Sequence, residues 1–463
     1  MLPDDVLLAI FNSYLYGCQT IQKKAEAWQL LVHVCRRWRT VVFGSPRHLD
    51  LEIVCTISTP ARDTLDAWPS LPFTVEYPGD YPTGSVDNIV AALERRDRVH
   101  KIYLIDVPSS DLEKFIAALQ EPFPELTDLR LESDDKTVVV PDSILGGSAP
   151  RLRLLVLSRV QFSGLPNLLL SATHLYGLIL SNIPHSGYFS PDAMVATLST
   201  LTSLEYLEIG FQSPRSCPDP ANRRLPPSTR SVLPLLTYFE YKGVSEYLEE
   251  LVARIDAPRL DYLRITLFND IIIDTPKFVQ FISRTPTSRA TEKAYIIVRD
   301  SAASVHLFSQ APDDMNINVK ILCRGLNWQL SSLEQVCSSC LPSLSGLQDL
   351  RFLKDSHLPP YLKNNIDNNL WLDLLHPFAA VKNLYLSEEF APHIGPVFQE
   401  PVEGRTTEVL PSLQNILLEG FESSGSVQEG IGQFVVARQV TDHPIAISRW
   451  TNPELDIVRP DWD

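Results

Sequence analysis

"LTDLRL" (Leu126–Leu131) and "LRLLVL" (Leu152–Leu157) share one pattern, apolar-x-x-apolar-x-apolar, and start 26 residues apart. The pattern returns in "VHKIYL" from Val99, "LYGLIL" from Leu175, "LEYLEI" from Leu204, "LTYFEY" from Leu236 and "LDYLRI" from Leu260. It appears again in "LQDLRF" from Leu347, "VKNLYL" from Val381 and "LQNILL" from Leu413. Successive starts lie 23 to 34 residues apart, except for one interval of 87 between Leu260 and Leu347. Within that interval "AYIIV" (Ala294–Val298) and "VKILC" (Val319–Cys323) are candidate weaker copies. The last two apolar positions alternate with a polar one, so they share a face, as in a short strand.

Helical stretches fill the intervals. "SVDNIVAALERR" carries Val86, Ile89, Val90 and Leu93 in register. "SDLEKFIAALQ" opens with Ser110 and Glu113 as a capping box, and "SPDAMVATL" pairs Ser190 as cap with Pro191. "VSEYLEELVARI" has Tyr247, Leu248, Leu251, Val252 and Ile255 in register. Pro124, Pro150, Pro234, Pro258 and Pro411 stand just upstream of their strands. A strand and a helix repeated at this interval form the signature of a leucine-rich-repeat solenoid, here irregular, with one parallel strand per repeat and helices outside. No Asn or Cys ladder position recurs regularly. The competing reading is a non-repetitive α/β domain. The pattern predicts the solenoid over residues 96–425, a linker and N-terminal cap over 50–95, and a C-terminal cap over 426–463.

Totals narrow the function. The chain has 463 residues, 44% hydrophobic and 21% charged, and a formal net charge of -16. So acidic a chain is a poor general binder of nucleic acid, which needs clustered Lys and Arg. No window has the roughly 18 apolar residues of a membrane span, and the Met-Leu-Pro-Asp-Asp opening lacks a signal peptide's basic start. Seven cysteines without a secretion signal predict reduced thiols in the cytosol or nucleus. No histidine makes a zinc spacing, and there is no phosphate-binding glycine loop. The lone Cys337-Ser-Ser-Cys340 reads as two small apolar thiols. The acidic pairs Asp134-Asp135, Glu249-Glu250 and Glu388-Glu389 read as solvated surface. No catalytic residue, metal site or cofactor is expected.

The first 49 residues differ in kind. "LPDDVLLAIFNSYL" (Leu2–Leu15) predicts a helix with Pro3 at its start, Asp4 and Asp5 in its first turn, and one apolar stripe of Val6, Leu7, Ile10, Phe11, Tyr14 and Leu15. A second helix is predicted from Ala25 to Gly44-Ser45-Pro46, with Trp28, Leu31, Val34, Cys35, Trp38, Val41 and Val42 at helical spacing. Two such helices bury little by themselves, and Cys18, His33 and Cys35 make no zinc pattern, so a partner chain is the expected support. Residues 16–49 carry six Lys/Arg (Lys23, Lys24, Arg36, Arg37, Arg39, Arg47) against Glu26, which frame the apolar face and suit an acidic partner better than nucleic acid.

This stretch resembles the F-box. Leu2-Pro3, Leu7, Ile10 and Leu15 match its opening, and Val34-Cys35-Arg36-Arg37-Trp38 matches the Val-Cys-x-x-Trp signature of its later helix. Asp5 stands where Glu is commoner, and the segment between Leu15 and Trp28 is long. An ordinary helical subdomain is the alternative. With the repeats, the chain resembles the F-box proteins abundant in basidiomycete fungi. The resemblance implies a non-catalytic receptor of an SCF ubiquitin ligase. It would dock a Skp-type adaptor, and through it a cullin–RING ligase, by Leu2, Pro3, Leu7, Ile10, Phe11, Leu15, Leu31, Val34, Cys35 and Trp38. The runner-up is a scaffold that holds the adaptor without degradation. A client protein is expected on outward strand positions, among them Tyr103, Arg130, Tyr206, Tyr238, Tyr262, Arg264, Arg351 and Tyr385, because Tyr and Arg favour interfaces.

Overall fold

In a computed structural model of the chain, residues 2–450 are described apart from 19–20, 47, 50, 69–70, 78–83, 216–229, 269–274, 286–291, 309–314, 342–343, 355–367, 388–389, 398–408, 420–424 and 441–443. The chain forms two compact units, Met1–Gln212 and Ser213–Asp463.

The first unit opens with three helices, α1 (Asp4–Tyr16), α2 (Ile21–Val34) and α3 (Arg36–Gly44). Strand and helix then alternate through β1 (Ile53–Cys55), α4 (Ala61–Ala67), β2 (Phe73–Tyr77), α5 (Val86–Leu93), β3 (Val99–Val107), α6 (Ser109–Ala118) and β4 (Asp128–Ser133). After a two-residue strand β5 (Val138–Val139) come β6 (Leu154–Ser158), another short strand β7 (Val160–Gln161), α7 (Leu165–Ser171), β8 (Gly177–Ile183), α8 (Pro191–Leu198) and β9 (Tyr206–Phe211). The sheet runs β1-β2-β3-β4-β6-β8-β9 with every neighbour parallel, while β5 pairs with β7 beside it.

The sequence explains the arrangement. Leu126, Leu152, Leu175 and Leu204 are buried, as are the pairs Leu129/Leu131, Leu155/Leu157, Leu178/Leu180 and Leu207/Ile209, so each copy of the pattern places three apolar residues in one core. Parallel neighbours need a crossover, and the short helices supply it on the core side. At Gly177 a Cβ would lie 2.7 Å from Leu154 Cδ1, so a larger residue there requires the Leu154 side chain to shift.

The second unit holds β10 (Ser231–Val232), β11 (Tyr238–Gly243), α9 (Ser245–Val252), β12 (Ile255–Asp256), β13 (Tyr262–Phe268), α10 (Pro276–Arg284), β14 (Lys293–Val298), β15 (Ala303–Phe308), β16 (Asn316–Leu322) and α11 (Leu326–Gln335). It ends with β17 (Asp349–Lys354), α12 (Asn368–Leu375), β18 (Asn383–Leu386), α13 (Ala391–Val397), β19 (Asn415–Glu419), α14 (Gly425–Val440) and β20 (Ala446–Trp450). The fold is α/β and leucine-rich-repeat-like, with a helical N-terminal segment.

The structure corrects or sharpens three expectations. First, the long interval does contain strands at both candidate sites, but not as simple repeats. The order is β11-β13-β16-β15-β14-β17-β18-β19-β20. β14, β15 and β16 form a meander inserted in reverse order, with β15 antiparallel to both neighbours. Its outer strands stay parallel to β13 and β17, so the sheet continues across it. Second, residues 50–95, expected as linker and N-terminal cap, contribute the end strands β1 and β2 to the sheet itself, with Ile53, Cys55, Phe73 and Val75 buried. Third, the second N-terminal helix is two helices, broken at Cys35.

Asp134 and Asp135 are exposed, as expected, whereas Glu249 is buried, and Asp135 and Glu249 each hold the start of a helix. Asp135 takes the Ser109 N–H at 3.0 Å and the Ser109 hydroxyl at 3.2 Å, so it caps α6 in place of the Ser110/Glu113 box. These bonds, the Ser109 N–H foremost, hold the Asp135 carboxyl at about 2. Glu249, within α9, takes the N–H groups of Phe278 (2.7 Å) and Lys277 (3.0 Å) and so caps α10 of the next repeat. Ser190 caps α8 as expected, accepting the Ala193 N–H at 3.2 Å. Glu388-Glu389 lies outside the described residues.

Candidate functional site

At the N-terminus, α1 carries two apolar ridges rather than one stripe. Leu7, Phe11 and Leu15 recur at four-residue steps and are buried; Phe11 is 1% exposed. Val6, Ile10 and Tyr14 form the neighbouring ridge at the same step and stay exposed, as does Leu2 just before the helix; Ile10 is 48% exposed. On α2, Leu30 and Val34 repeat the device four residues apart, both exposed. Leu31 of the predicted adaptor set is buried, Trp38 is half-buried 4.7 Å from Phe11, and Pro3 and Cys35 are exposed. Leu30 was not anticipated as part of this surface; its four-residue step to Val34 was the available signal.

The break at Cys35 has a local cause. Cys35 is fully extended (φ -161°, ψ 166°), and its sulfur accepts the Trp38 N–H at 3.4 Å, which makes it the N-cap of α3. The arginines brace the joint. Arg39 donates to the Val32 carbonyl at the end of α2 (3.0 Å). Arg37 pairs with Asp4 (2.6 Å) and donates to the Leu2 carbonyl, which brings the start of α1 beside the α2–α3 joint. Exposed Leu2, Val34 and Cys35 therefore belong to one neighbourhood. Trp28, fully buried, ties the helices to the first repeat by donating to the Glu52 carbonyl (2.8 Å) and packing 5.1 Å from Trp68.

Within each unit, the strand positions proposed for a client alternate with the buried core positions of their strands. In the first unit Tyr103 and Arg130 are adjacent in register, with the guanidinium 5.1 Å from the ring centre, while Tyr206 sits in another row beside Gly177. In the second unit Tyr238 and Tyr262 stack at 4.9 Å, nearly parallel. Glu240, beside them, takes the Tyr238 hydroxyl at 2.6 Å and faces Arg264 at 3.7 Å. Arg351 is only 7% exposed. It lies among Tyr385 (4.5 Å), Tyr295 (5.0 Å) and Trp450 (5.9 Å), a cation held in an aromatic cluster that also includes Ile297 and Leu353. Arg351 and Tyr385 are thus part of a second, smaller core. A short ladder that the sequence did not reveal flanks it, with Asn383 donating to Asp349 and Asn415 to Asn383, each at 2.7 Å.

Cys337 and Cys340 are buried in a wide helical turn, and burial pushes the Cys337 thiol up, away from a reactive thiolate. Among the described residues no group of three or more His, Cys, Asp or Glu could hold a metal, and no helix is long and apolar enough to cross a membrane.

No protein-family model matches the chain, and no curated protein matches it. Among solved structures, the leucine-rich-repeat-containing protein LegL7 from Legionella pneumophila is similar over 80% of this chain and 99% of its own, at 14% identity and a TM-score of 0.29.

Proposed function

We propose that this chain is the non-catalytic substrate-recognition subunit of an SCF-type ubiquitin ligase of the cytosol or nucleus. Its N-terminal helices bind a Skp-type adaptor and its strand faces bind a client protein. One observation carries the reading: α1 presents a second apolar ridge, Val6, Ile10 and Tyr14, which its own fold leaves exposed together with Leu2 just before the helix. An isolated surface Leu needs no explanation, but a three-membered ridge, with exposed Leu2, Leu30 and Val34 on the same small helical segment, calls for a protein partner. The resemblance to the F-box lies on these helices and points to a Skp-type adaptor as that partner. Function then follows from proximity, because two binding surfaces on one chain raise the concentration of client near the ligase.

The test is co-purification from cells, wild type against Ile10→Asp. Adaptor and cullin should accompany the wild type and be lost from the variant. Adaptor without cullin would favour a non-degradative scaffold. No adaptor with either chain would defeat both readings.

A further inference from the structure

The second unit carries a concentration of positive charge that the chain as a whole does not. β11, β13 and β16 are consecutive and parallel, so their outward residues fall into rows. One row is Glu240, Arg264, Asn318 and then His306; the next is Lys242, Thr266, Lys320 and Ser304. Neighbouring strands lie about 4.8 Å apart, so Lys242 and Lys320 stand roughly 10 Å apart across Thr266. Glu240 is the one acid in these rows, and it is engaged by Arg264 and by the Tyr238 hydroxyl. Lys242 and Lys320 have no carboxylate at ion-pair distance among the described residues. In a chain of net charge -16 this patch therefore keeps two uncompensated cations.

A second, independent observation concerns Asn318. It is 8% exposed, lies between Arg264 and His306 and two residues before Lys320, and its side-chain oxygen Oδ1 is buried without a hydrogen-bond partner. A buried acceptor left unsatisfied is costly, and a ligand N–H would recover that cost. The site thus asks for negative charge and for a hydrogen-bond donor within a few ångströms of it. A phosphodiester backbone offers the first and not the second. A peptide with acidic side chains offers both, through its carboxylates and its backbone N–H groups.

We infer that this face binds an acidic, extended segment of the client, with Lys242 and Lys320 holding carboxylates and Asn318 Oδ1 accepting a backbone N–H. The inference rests on the client-binding reading of the repeats and is independent of the adaptor contact. The local electrostatics agree with it. Burial, followed by Arg299, Arg264 and Lys242, holds the Lys320 ammonium below its ordinary value, and an arriving carboxylate would relieve that repulsion.

The test uses the purified full chain and fluorescence anisotropy of a labelled Glu-rich peptide, its Gln-for-Glu counterpart and a single-stranded oligonucleotide of equal charge. The Glu peptide should bind in a salt-sensitive manner and the Gln peptide should not. The double variant Lys242→Gln/Lys320→Gln should bind it about 10-fold or more weakly. Asn318→Leu should also weaken binding while keeping the salt dependence, and each variant's melting temperature confirms that it is folded. Ile10→Asp should bind the peptide as the wild type does. Equal binding of both peptides, equal or tighter binding of the oligonucleotide, or wild-type affinity in the folded double variant would overturn the site. Peptide binding through these lysines in a chain that recruits no client for ubiquitin transfer would keep the site and defeat the client reading instead.

Discussion

Substituting Arg351 separates a structural role from a recognition role. Its guanidinium is 4.5, 5.0 and 5.9 Å from the rings of Tyr385, Tyr295 and Trp450, and the residue is 7% exposed. A desolvated cation–π contact is worth up to about 2 kcal/mol, and the long aliphatic stem adds packing. Arg351→Met keeps most of that packing and should cost about 1–2 kcal/mol. Arg351→Ala opens a void and should cost about 3 kcal/mol. Arg351→Glu places an anion against three ring faces in a buried site and should cost at least as much as Ala. The assay is urea unfolding followed by tryptophan fluorescence, to which Trp450 contributes. The expected order of midpoints is wild type, Met, Ala, then Glu. A midpoint for Arg351→Glu equal to the wild type would refute the reasoning and return Arg351 to the solvent-facing role that its sequence position first suggests.

Other outcomes follow from the same geometry. Glu249→Ala should destabilise the second unit by about 2–3 kcal/mol, because two N–H groups at the start of α10 lose a charged acceptor; hydrogen exchange at Phe278 would locate the effect. His306 is held at about 3, first by burial and then by Arg264, Arg299 and Lys320, against 6.5 ordinarily. Below pH 6.5 the unfolded chain therefore takes up a proton that the folded chain refuses until about pH 3, and stability falls with pH through that window. The loss reaches up to about 2 kcal/mol by pH 5, and His306→Gln should flatten this limb in melts at pH 7.5 and 5. Phe11→Ala should lower stability by about 3–5 kcal/mol while Ile10→Asp changes it by less than about 1, since one lies on the buried ridge of α1 and the other on the exposed one.

What could be read in the sequence was local. The Leu-x-x-Leu-x-Leu period places three side chains in one core wherever it occurs, so strands such as β4, β6 and β13 were legible, as was the Ser190 cap. What escaped depended on partners far along the chain. Asp135 and Glu249 cap helices that begin 26 and 27 residues away, and nothing adjacent to them marks that role. The reversed order of β14, β15 and β16 is a matter of pairing, which no apolar pattern within a strand encodes. At the N-terminus, spacing identified the apolar residues of α1 but could not divide them into the ridge that packs inward and the ridge left outside. The break at Cys35 was hidden because Val34, Cys35 and Arg36 are compatible with a continuing helix. The proposed adaptor residues were therefore split, with Leu7, Phe11, Leu15 and Leu31 inside and Leu2, Ile10 and Val34 outside.

The central claim is that the outside ridge binds a Skp-type adaptor. Titration calorimetry of the purified full chain against purified adaptor tests it directly. Each exposed Leu or Ile that becomes fully covered contributes on the order of 1 kcal/mol, and an Asp buried in its place costs more, so Ile10→Asp should weaken binding about 100-fold or more in a chain that melts like the wild type. Wild-type affinity in the folded Ile10→Asp variant, or no adaptor binding by the wild type at all, would contradict the account.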